Sequence, residues 1–329
     1  MSAQSLFDLI ADTLSRYNKP WESVAFMVGD NCSVNQYIGR REGAIPLIGC
    51  ASHRFNLAVR DFLKDDEPLM GKIQTLMLKL RTIKGRALLR RVTKLSPVLR
   101  SDTRWSSSFE MLKRYVVLEP LIGSLGHGVL EEYDIQPLLL RRSENDRARA
   151  LLNDLRNFEG VTKTLQQSNL TLSGVRRLFD HAIASYPLLK QRLAPSAPIV
   201  NFPNLESGLV KVQRREPLSH AERLACAAFK QQGEREEVRS PETSTFVADA
   251  FKRRKVTKRA GYMDVLFVPP TSNECERFFS SVKLVYSDLR KSMDIATLEK
   301  VMLLRYNADF WDVYTVERVR SAISSRNAR

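Results

Sequence analysis

Two short apolar runs, each closed by a glycine, constrain the fold of this chain more than any other feature of its sequence. Residues 24–28 form the first run and residues 45–48 form the second. Runs of this length that end in glycine are typical of buried β-strands. Helical periodicity precedes the first run, over residues 5–16, and follows the second, over residues 50–63. This alternation of helices and strands predicts an α/β sheet with helices on its faces.

The composition suits a globular protein with a substantial core. The chain has 329 residues, of which 43% are apolar and 27% charged, enough for one large domain or two ordinary ones. It has neither a membrane-spanning apolar run nor a signal-peptide pattern, so we expect the protein to stay inside the cell and to have no membrane partner. The cysteines lie far apart and form no Cys-x-x-Cys pair: Cys32, Cys50, Cys226 and Cys275. We therefore expect a reducing compartment, without disulfides or structural zinc.

The formal net charge of +15 at pH 7 is concentrated in one stretch of the chain. Residues 79–114 contain eleven Lys or Arg side chains against two carboxylates, Asp102 and Glu110. A basic surface attracts polyanions, and this attraction drives nucleic-acid binding without regard to base sequence. Charge therefore favours a nucleic-acid partner over a merely solvated basic surface, without distinguishing DNA from RNA.

Residues 72–95 show a helical pattern, with an apolar stripe on one face and cations on a neighbouring face. The cations recur at intervals of seven, seven, four and four residues: Lys72, Lys79, Arg86, Arg90 and Lys94. Two interpretations stay open for this face: it follows the phosphates of a nucleic acid, or it is a solvated helix surface.

Helical periodicity also dominates residues 115–259, apart from a looser, proline-containing stretch over 194–217. We interpret residues 115–262 as a helical insertion with flexible connections. Six cations between residues 252 and 259 form a basic cluster, which either signals nuclear import or contacts further phosphates.

The C-terminal segment predicts two helices with more apolar surface than they could hide from each other. Thr271 and Glu274 match a capping box at the start of the first helix, and Asp294 is suited to cap the second. The predicted apolar contacts are those of Phe278, Phe279, Leu298, Val301, Met302, Phe310 and Trp311. Such a surface has to pack on a core, on a partner chain or on both.

Three sets of polar residues have arrangements that a packed core does not require. Asp30 follows the first predicted strand, where a rigid carboxylate could bind magnesium beside a phosphate, or an Asp-Asn turn could cap the next helix. Cys50 and His53 lie one helical turn apart; because two ligands do not make a metal site, we favour hydrogen bonding that supports neighbouring groups. Glu276 is a carboxylate in the first turn of a helix, where the helix dipole alone also favours it.

Together these positions resemble the hAT family of transposases in their order and in their motifs. The motifs are Asp-Asn-x-x-x-Asn at a strand end, Cys-x-x-His-x-x-Asn-Leu on a helix, Thr-Arg-Trp, Ser-x-x-x-Glu-Arg-x-Phe-Ser and Asn-x-Asp-Phe-Trp. The matching residues are Asp30, Asn31 and Asn35; Cys50, His53, Asn56 and Leu57; Thr103, Arg104 and Trp105; Ser272, Glu276, Arg277, Phe279 and Ser280; and Asn307, Asp309, Phe310 and Trp311. The resemblance covers about residues 25–312, and the joint occurrence of the motifs makes it specific.

The resemblance implies a predominantly helical α/β protein, with a ribonuclease-H-like core that is interrupted by an all-α insertion domain. It also implies a catalytic triad of two aspartates and one glutamate that binds two Mg²⁺ ions. Asp30 matches the second aspartate and Glu276 the glutamate. Metal ions in such enzymes activate water or a 3′ hydroxyl for attack on a phosphate. Arg104 and Trp105 match a pair associated in the family with a DNA hairpin, where the Trp stacks on an unpaired base.

The family's first catalytic aspartate has no counterpart in this sequence. Only one helix precedes the Asp30 strand, and Asp8 and Asp12 lie on that helix. We therefore expect the first strands of the core to be missing, through a truncated gene model or a genuine loss, and we expect no strand-transfer activity. The family's zinc-bearing finger is also missing. The expected parts are a partial core (1–114), the insertion (115–262), the rest of the core with the dimerisation region (263–314) and a basic tail (315–329).

The sequence thus predicts a nuclear, transposase-derived protein that binds double-stranded DNA and forms a homodimer or a higher oligomer. Two alternatives stay open. The first is an active magnesium-dependent transposase or nuclease, if the sequence is incomplete. The second is a domesticated factor that binds other proteins through its C-terminal helices.

Overall fold

The computed structural model describes residues 2–40, 45–101, 104–231, 261–286 and 292–327, and these are predominantly helical. The chain divides into two compact units, Met1–Thr271 and Ser272–Arg329. The partial core and the helical insertion that the sequence distinguishes therefore lie in one unit. None of the described helices is both long and apolar enough to cross a lipid bilayer.

A two-stranded parallel sheet lies near the start of the first unit. The elements around it are helix α1 (Ala3–Arg16), strand β1 (Met27–Gly29), helix α2 (Ser33–Arg40) and strand β2 (Leu47–Gly49). The strands pair in register, with Val28 opposite Ile48. A strand forms at the end of each predicted run and includes the glycine that closes it, but each is only three residues long, and residues 24–26 and 45–46 are not in a strand.

Helices make up most of the rest of the first unit. They are α3 (Ala51–Phe62), α4 (Glu67–Arg81), α5 (Ile83–Leu89), α6 (Trp105–Gly123), α7 (His127–Glu132), α8 (Arg142–Leu165), α9 (Leu172–Ser185), α10 (Lys190–Leu193), α11 (Pro203–Arg214) and α12 (His220–Ala225). The prediction of a single helix over residues 72–95 is wrong, because the helix is interrupted at Thr82. The Thr82 backbone is extended, and its hydroxyl oxygen accepts a 3.1 Å hydrogen bond from the amide of Gly85, which caps α5.

The main core of the first unit is formed by helices packed on helices. The ring of Phe55 on α3 meets that of Phe158 on α8 edge to face, with centroids 5.9 Å apart, and stacks on Phe179 of α9 at 6.4 Å. Trp105 of α6 also meets Phe158 edge to face, at 6.5 Å. Helices of the predicted insertion therefore share one apolar core with α3, the helix that directly follows β2.

A smaller apolar cluster packs β2 against α11. It contains Ile48 of β2, Leu209 of α11 and Val268. The amide of Ala51 donates a 3.0 Å hydrogen bond to the carbonyl oxygen of Pro270, just after this cluster. The end of β2 is thereby fixed from two sides.

The described part of the second unit contains the helices α13 (Asn273–Val285), α14 (Ile295–Tyr306) and α15 (Val313–Asn327). Asp294 caps α14, as predicted. Its carboxylate accepts a 2.9 Å hydrogen bond from the amide of Thr297 and a 2.6 Å bond from the hydroxyl of the same residue.

The capping box predicted at the start of α13 is wrong. Ser272 occupies the N-cap position and makes no capping hydrogen bond with its side chain. Glu274 instead accepts a 3.1 Å hydrogen bond from Nε of Arg277. Thr271 is buried one residue before the N-cap, so its hydroxyl is not in the position that the motif requires.

Candidate functional site

Asp30 lies directly beyond the carboxyl end of β1, as predicted, and its carboxylate is held by its own neighbours. Nδ2 of Asn35 donates to Oδ1 of Asp30 at 2.8 Å, and the amide of Cys32 donates to the same oxygen at 3.3 Å. Partial burial works to raise the pKa of Asp30, but hydrogen bonds from Cys32 and Asn35 and the nearby His53 outweigh it, so this pKa lies below its ordinary value. The geometry is that of an aspartate turn at the start of α2.

Glycines at the two strand ends leave room for asparagine side chains. A Cβ atom on Gly29 would lie 2.9 Å from Nδ2 of Asn35, and one on Gly49 would lie 2.9 Å from Oδ1 of Asn31. Nδ2 of Asn31 donates a 2.8 Å hydrogen bond to the carbonyl oxygen of Ile199. Both asparagines of the first motif thus pack directly on the ends of the strands.

Cys50 and His53 lie at the amino-terminal end of α3, beside Asp30. Cys50 is buried at the N-cap, and its amide donates a 2.7 Å hydrogen bond to the carbonyl oxygen of Gly29. His53 is half-buried, and its electrostatic interaction with Asp30 lowers the pKa of Asp30. That Cys50 and His53 support neighbouring groups through hydrogen bonds stays a prediction. Their position beside Asp30 is compatible with it.

A buried ion pair beside the same strand end was missed by the sequence interpretation. Nη1 of Arg54 lies 3.0 Å from Oε2 of Glu206, and the other carboxylate oxygen accepts a 3.2 Å hydrogen bond from the amide of Gly49. Arg54 also donates to the carbonyl oxygens of Arg192 and Ala194. Burial raises the pKa of Glu206 against the attraction of Arg54, and burial lowers the pKa of Arg54. An arginine on an otherwise apolar face of α3 indicates a buried charge that needs a partner, but the sequence does not identify Glu206 as that partner.

Glu276 lies in the first turn of α13, on an exposed part of the second unit. Asp30 and Glu276 belong to different units, so their approach to each other stays a prediction of the resemblance. Within the part of the chain that the structure describes, no three His, Cys, Asp or Glu side chains are grouped so as to hold a metal ion.

The five cations predicted on one helix face do not lie on one helix, because the helix is interrupted at Thr82. Lys72 and Lys79 lie on α4, Arg86 lies on α5, and Arg90 and Lys94 follow the end of α5. The two cations of α4 also form ion pairs: Lys72 with Glu144, and Lys79 with Asp134 at 3.1 Å. A single continuous helix over these residues is therefore wrong, and their contact with phosphates stays a prediction.

Another set of cations converges on an open groove of about 520 Å³ in the first unit. The groove lies beside α3 and the start of α6, and its lining includes Arg60, Lys64, Arg100, Arg104 and Arg192, with Asp61 and Glu67 as the carboxylates. We call this surface the basic groove. Two residues of the Thr-Arg-Trp motif, Arg104 and Trp105, line it.

Carboxylates at the edge of the basic groove hold its cations in place. Asp61 lies 2.7 Å from both Nε of Arg192 and Nζ of Lys64. Partial burial works to raise the pKa of Asp61, but these two cations outweigh it and lower the pKa. Nη1 of Arg100 donates to Glu67 at 2.9 Å.

Trp105 lines the basic groove, but the residue is only 4% exposed. It packs against Phe109, with centroids 6.1 Å apart, and against Phe158 in the main core. In this conformation the indole packs in the main core, so the ring would have to leave that position to stack on a base. Thr103 and the cluster over residues 252–259 lie outside the described residues.

The second unit exposes large apolar side chains. Ile295, Phe310 and Tyr314 are each more than four-fifths exposed. Of the predicted dimerisation residues, Phe279, Phe310 and Trp311 are exposed, Phe278, Leu298 and Val301 are half-buried, and Met302 is buried. The ring of Phe278 packs edge to face on that of Tyr306, 5.5 Å away, which joins α13 to α14.

Comparison with known proteins adds no relative, because neither a protein-family model nor a curated protein matches this chain. The resemblance to hAT transposases rests on the motif residues. The basic groove and the apolar surface of the second unit are features of the structure itself, although each includes residues of these motifs.

Proposed function

We propose that this chain is a transposase-derived protein that binds double-stranded DNA in the nucleus and self-associates through its second unit. The convergence of five cations on the basic groove carries the DNA-binding part of the proposal. These cations come from three separate parts of the chain: α3 and the residues that follow it, the segment before α6, and α10. A solvated helix face would not gather them on one concave surface.

DNA phosphates can replace the carboxylates that bind the arginines of the groove. Glu67 binds Arg100 and Asp61 binds Arg192, and arginine binds phosphate with the same paired geometry that it uses for carboxylate. Each cation that reaches a DNA phosphate releases condensed counterions, so binding should weaken steeply with added salt. Contacts of this kind position a protein on DNA without reading base sequence.

The transposase origin is supported by the motif residues and by the local geometry of β1. A parallel strand pair with a carboxylate directly beyond one strand is compatible with a ribonuclease-H-like core, which is part of the proposal. Oδ1 of Asp30 accepts hydrogen bonds from Cys32 and Asn35 within a turn. Because this oxygen is already bonded, the conformation of Asp30 fits magnesium binding poorly. We therefore assign no catalytic step to Asp30 or Glu276, and a role for Mg²⁺ stays a prediction of the resemblance.

The test is the salt dependence of binding to a fluorescent duplex of random sequence, measured by anisotropy. The groove variant is Arg60→Gln with Arg104→Gln. The matched control is Arg156→Gln with Arg177→Gln, which removes two exposed arginines from α8 and α9, outside the groove. Circular dichroism checks that both variants are folded.

We expect the groove variant to bind more weakly, with a slope of log Kd against log salt that is roughly two units shallower. The control should keep a slope close to that of the wild type, since its arginines lie elsewhere. If both variants lose affinity equally, the basic groove is not the DNA site. If the wild type shows no salt dependence, the phosphate-contact account is wrong.

Self-association is supported by the exposed apolar side chains of α14 and α15 and the segment between them. A surface with Ile295, Phe310 and Tyr314 in solvent is costly for an isolated molecule. The motif residues Phe310 and Trp311 fall in the region that the resemblance assigns to dimerisation, so we propose a second copy of this chain as the partner. A different protein partner is the competing possibility.

A further inference from the structure

A partly enclosed cavity of about 250 Å³ lies inside the first unit, between α9 and α11 and beside the start of α3. Its α9 wall contains Val175, Arg176 and Phe179, and its α11 wall contains Val210, Lys211 and Arg214. The spacing of three and four residues places each set on one face of its helix. Two continuous helical stripes therefore face the same space.

The cavity lining combines apolar side chains with charged ones, most of which are paired with each other. Val175 and Phe179 are buried, and Val210 is half-buried. Four of its charged groups are already satisfied by each other, since Arg54 pairs with Glu206 and Arg176 pairs with Asp180 at 2.6 Å. The space beside Val175, Phe179 and Val210 thus suits a hydrocarbon ring rather than a further charge.

Two cations on α11 line the same cavity with bonding capacity to spare. Nζ of Lys211 lies 2.8 Å from each carboxylate oxygen of Glu222, and these contacts leave one of its three ammonium donors for a further partner. Arg214 is exposed, and its Nη2 donates a long, 3.3 Å hydrogen bond to the carbonyl oxygen of Ser173. Glu216 also lines the cavity, but among the residues that the structure describes no carboxylate, Glu216 included, lies at ion-pair distance from Arg214.

We propose that this cavity is a binding site for a small organic anion that carries one apolar ring, such as an aryl carboxylate. The ring occupies the space between Val175, Phe179 and Val210. The carboxylate is bound by Lys211 and Arg214. The cavity volume limits the ligand to a single ring with a short chain, because drug-sized ligands occupy larger pockets.

The test uses 3-phenylpropionate as the probe and the uncharged 3-phenylpropanamide as its control, titrated calorimetrically into the full chain. The cavity is blocked by Val210→Phe, and Val117→Phe, at an exposed position of α6, adds the same ring elsewhere. The anion contact is removed by Arg214→Gln. Arg215→Gln removes the neighbouring exposed arginine, which does not line the cavity.

We expect one saturable site for the carboxylate on the wild type and at least roughly tenfold weaker binding of the amide. Val210→Phe should abolish the site and Val117→Phe should keep it. Arg214→Gln should weaken carboxylate binding roughly tenfold, whereas Arg215→Gln should change it less than about twofold. No saturable binding to folded wild type would overturn the proposal. Equal binding of acid and amide would do so too, as would a site that survives Val210→Phe or responds equally to both arginine substitutions.

Discussion

Arg54 and Glu206 are 152 residues apart in the sequence, yet Nη1 of the arginine lies 3.0 Å from Oε2 of the glutamate. The glutamate also accepts from the amide of Gly49, at the end of β2. The pair therefore joins the strand end and α3 to α11. Both side chains are largely buried, so each depends on the other to offset its loss of hydration.

Glu206→Gln should destabilise the first unit by about 3 kcal/mol, because it leaves the Arg54 charge buried without a counter-ion. The substitution keeps the shape of the side chain and an oxygen for the amide of Gly49. Urea unfolding followed by circular dichroism measures the change. Glu132→Gln, at an exposed position of α7, is the matched control and should stay within about 0.5 kcal/mol of the wild type. A loss below about 1 kcal/mol at position 206 would show that the pair contributes little.

Gly29→Ala should destabilise the protein by about 1–3 kcal/mol, because the added Cβ would lie 2.9 Å from Nδ2 of Asn35. Asn35 would have to move, and its hydrogen bond to Asp30 would be lost or lengthened. Gly71→Ala on α4 is the control, since a Cβ there meets nothing within 4 Å. Alanine inside a helix should stabilise the protein by up to about 1 kcal/mol. Opposite signs in thermal unfolding support the steric account, and equal effects contradict it.

The sequence predicted those parts of the fold that depend on local pattern. The two strands, α1, α3 and the Asp294 cap are all set by short-range periodicity, glycine positions or side-chain hydrogen bonds to nearby amides. The interruption of the helix at Thr82 was not predicted, because the helical spacing of apolar residues continues across it. The extended backbone at Thr82 is stabilised by the hydrogen bond that its hydroxyl accepts from the amide of Gly85.

The candidate site was only partly predictable, because local sequence pattern does not show which distant residues pack together. Asp30 could be placed at a strand end from sequence alone. The pairing of Arg54 with Glu206 could not be predicted, because it depends on how α11 packs on β2. The basic groove likewise gathers Arg60 and Arg192 from distant parts of the chain. No spacing rule connects such residues.

Glu222→Gln should remove part of the acid sensitivity of the protein. Lys211, Ser207 and the amide of Ser219 each donate to the Glu222 carboxylate, at 2.7–2.8 Å. Burial works to raise the pKa of Glu222, but these hydrogen bonds outweigh it and lower the pKa from 4.5 to about 2. A carboxylate whose pKa is lower in the folded state stabilises the fold above pH 4.5, and that contribution is lost as the pH falls towards 2.

We therefore expect Glu222→Gln to be less stable than the wild type at neutral pH, by on the order of 1–3 kcal/mol. The difference should shrink as the pH falls from 4.5 towards 2, which urea midpoints across this range would measure. The exposed Glu132→Gln variant should keep the pH dependence of the wild type. If the difference between Glu222→Gln and the wild type were constant with pH, the hydrogen bonds would not be lowering the pKa of Glu222.

Ile295→Asp with Phe310→Asp should dissociate the proposed oligomer. Both side chains are 85% exposed, and a carboxylate at either position would lose its hydration in an apolar interface. Ile295 is the first residue of α14, where an aspartate favours the helix, so the loss of assembly would not reflect unfolding. We expect the dissociation constant to rise roughly a hundredfold, since central apolar contacts contribute about 1–2 kcal/mol each.

The control for this prediction is Leu188→Asp with Leu224→Asp, which places the same charges on exposed leucines of the first unit. Sedimentation velocity, with and without duplex DNA, separates the possibilities. An oligomer that forms without DNA and dissociates only in the second-unit variant supports self-association through that surface. Assembly that requires DNA would make the oligomer a consequence of the basic groove, because the duplex would then bridge the copies. A wild type that is monomeric at high concentration would contradict the choice of a second copy of this chain as the partner, and the exposed apolar surface would then have to be covered by a different protein.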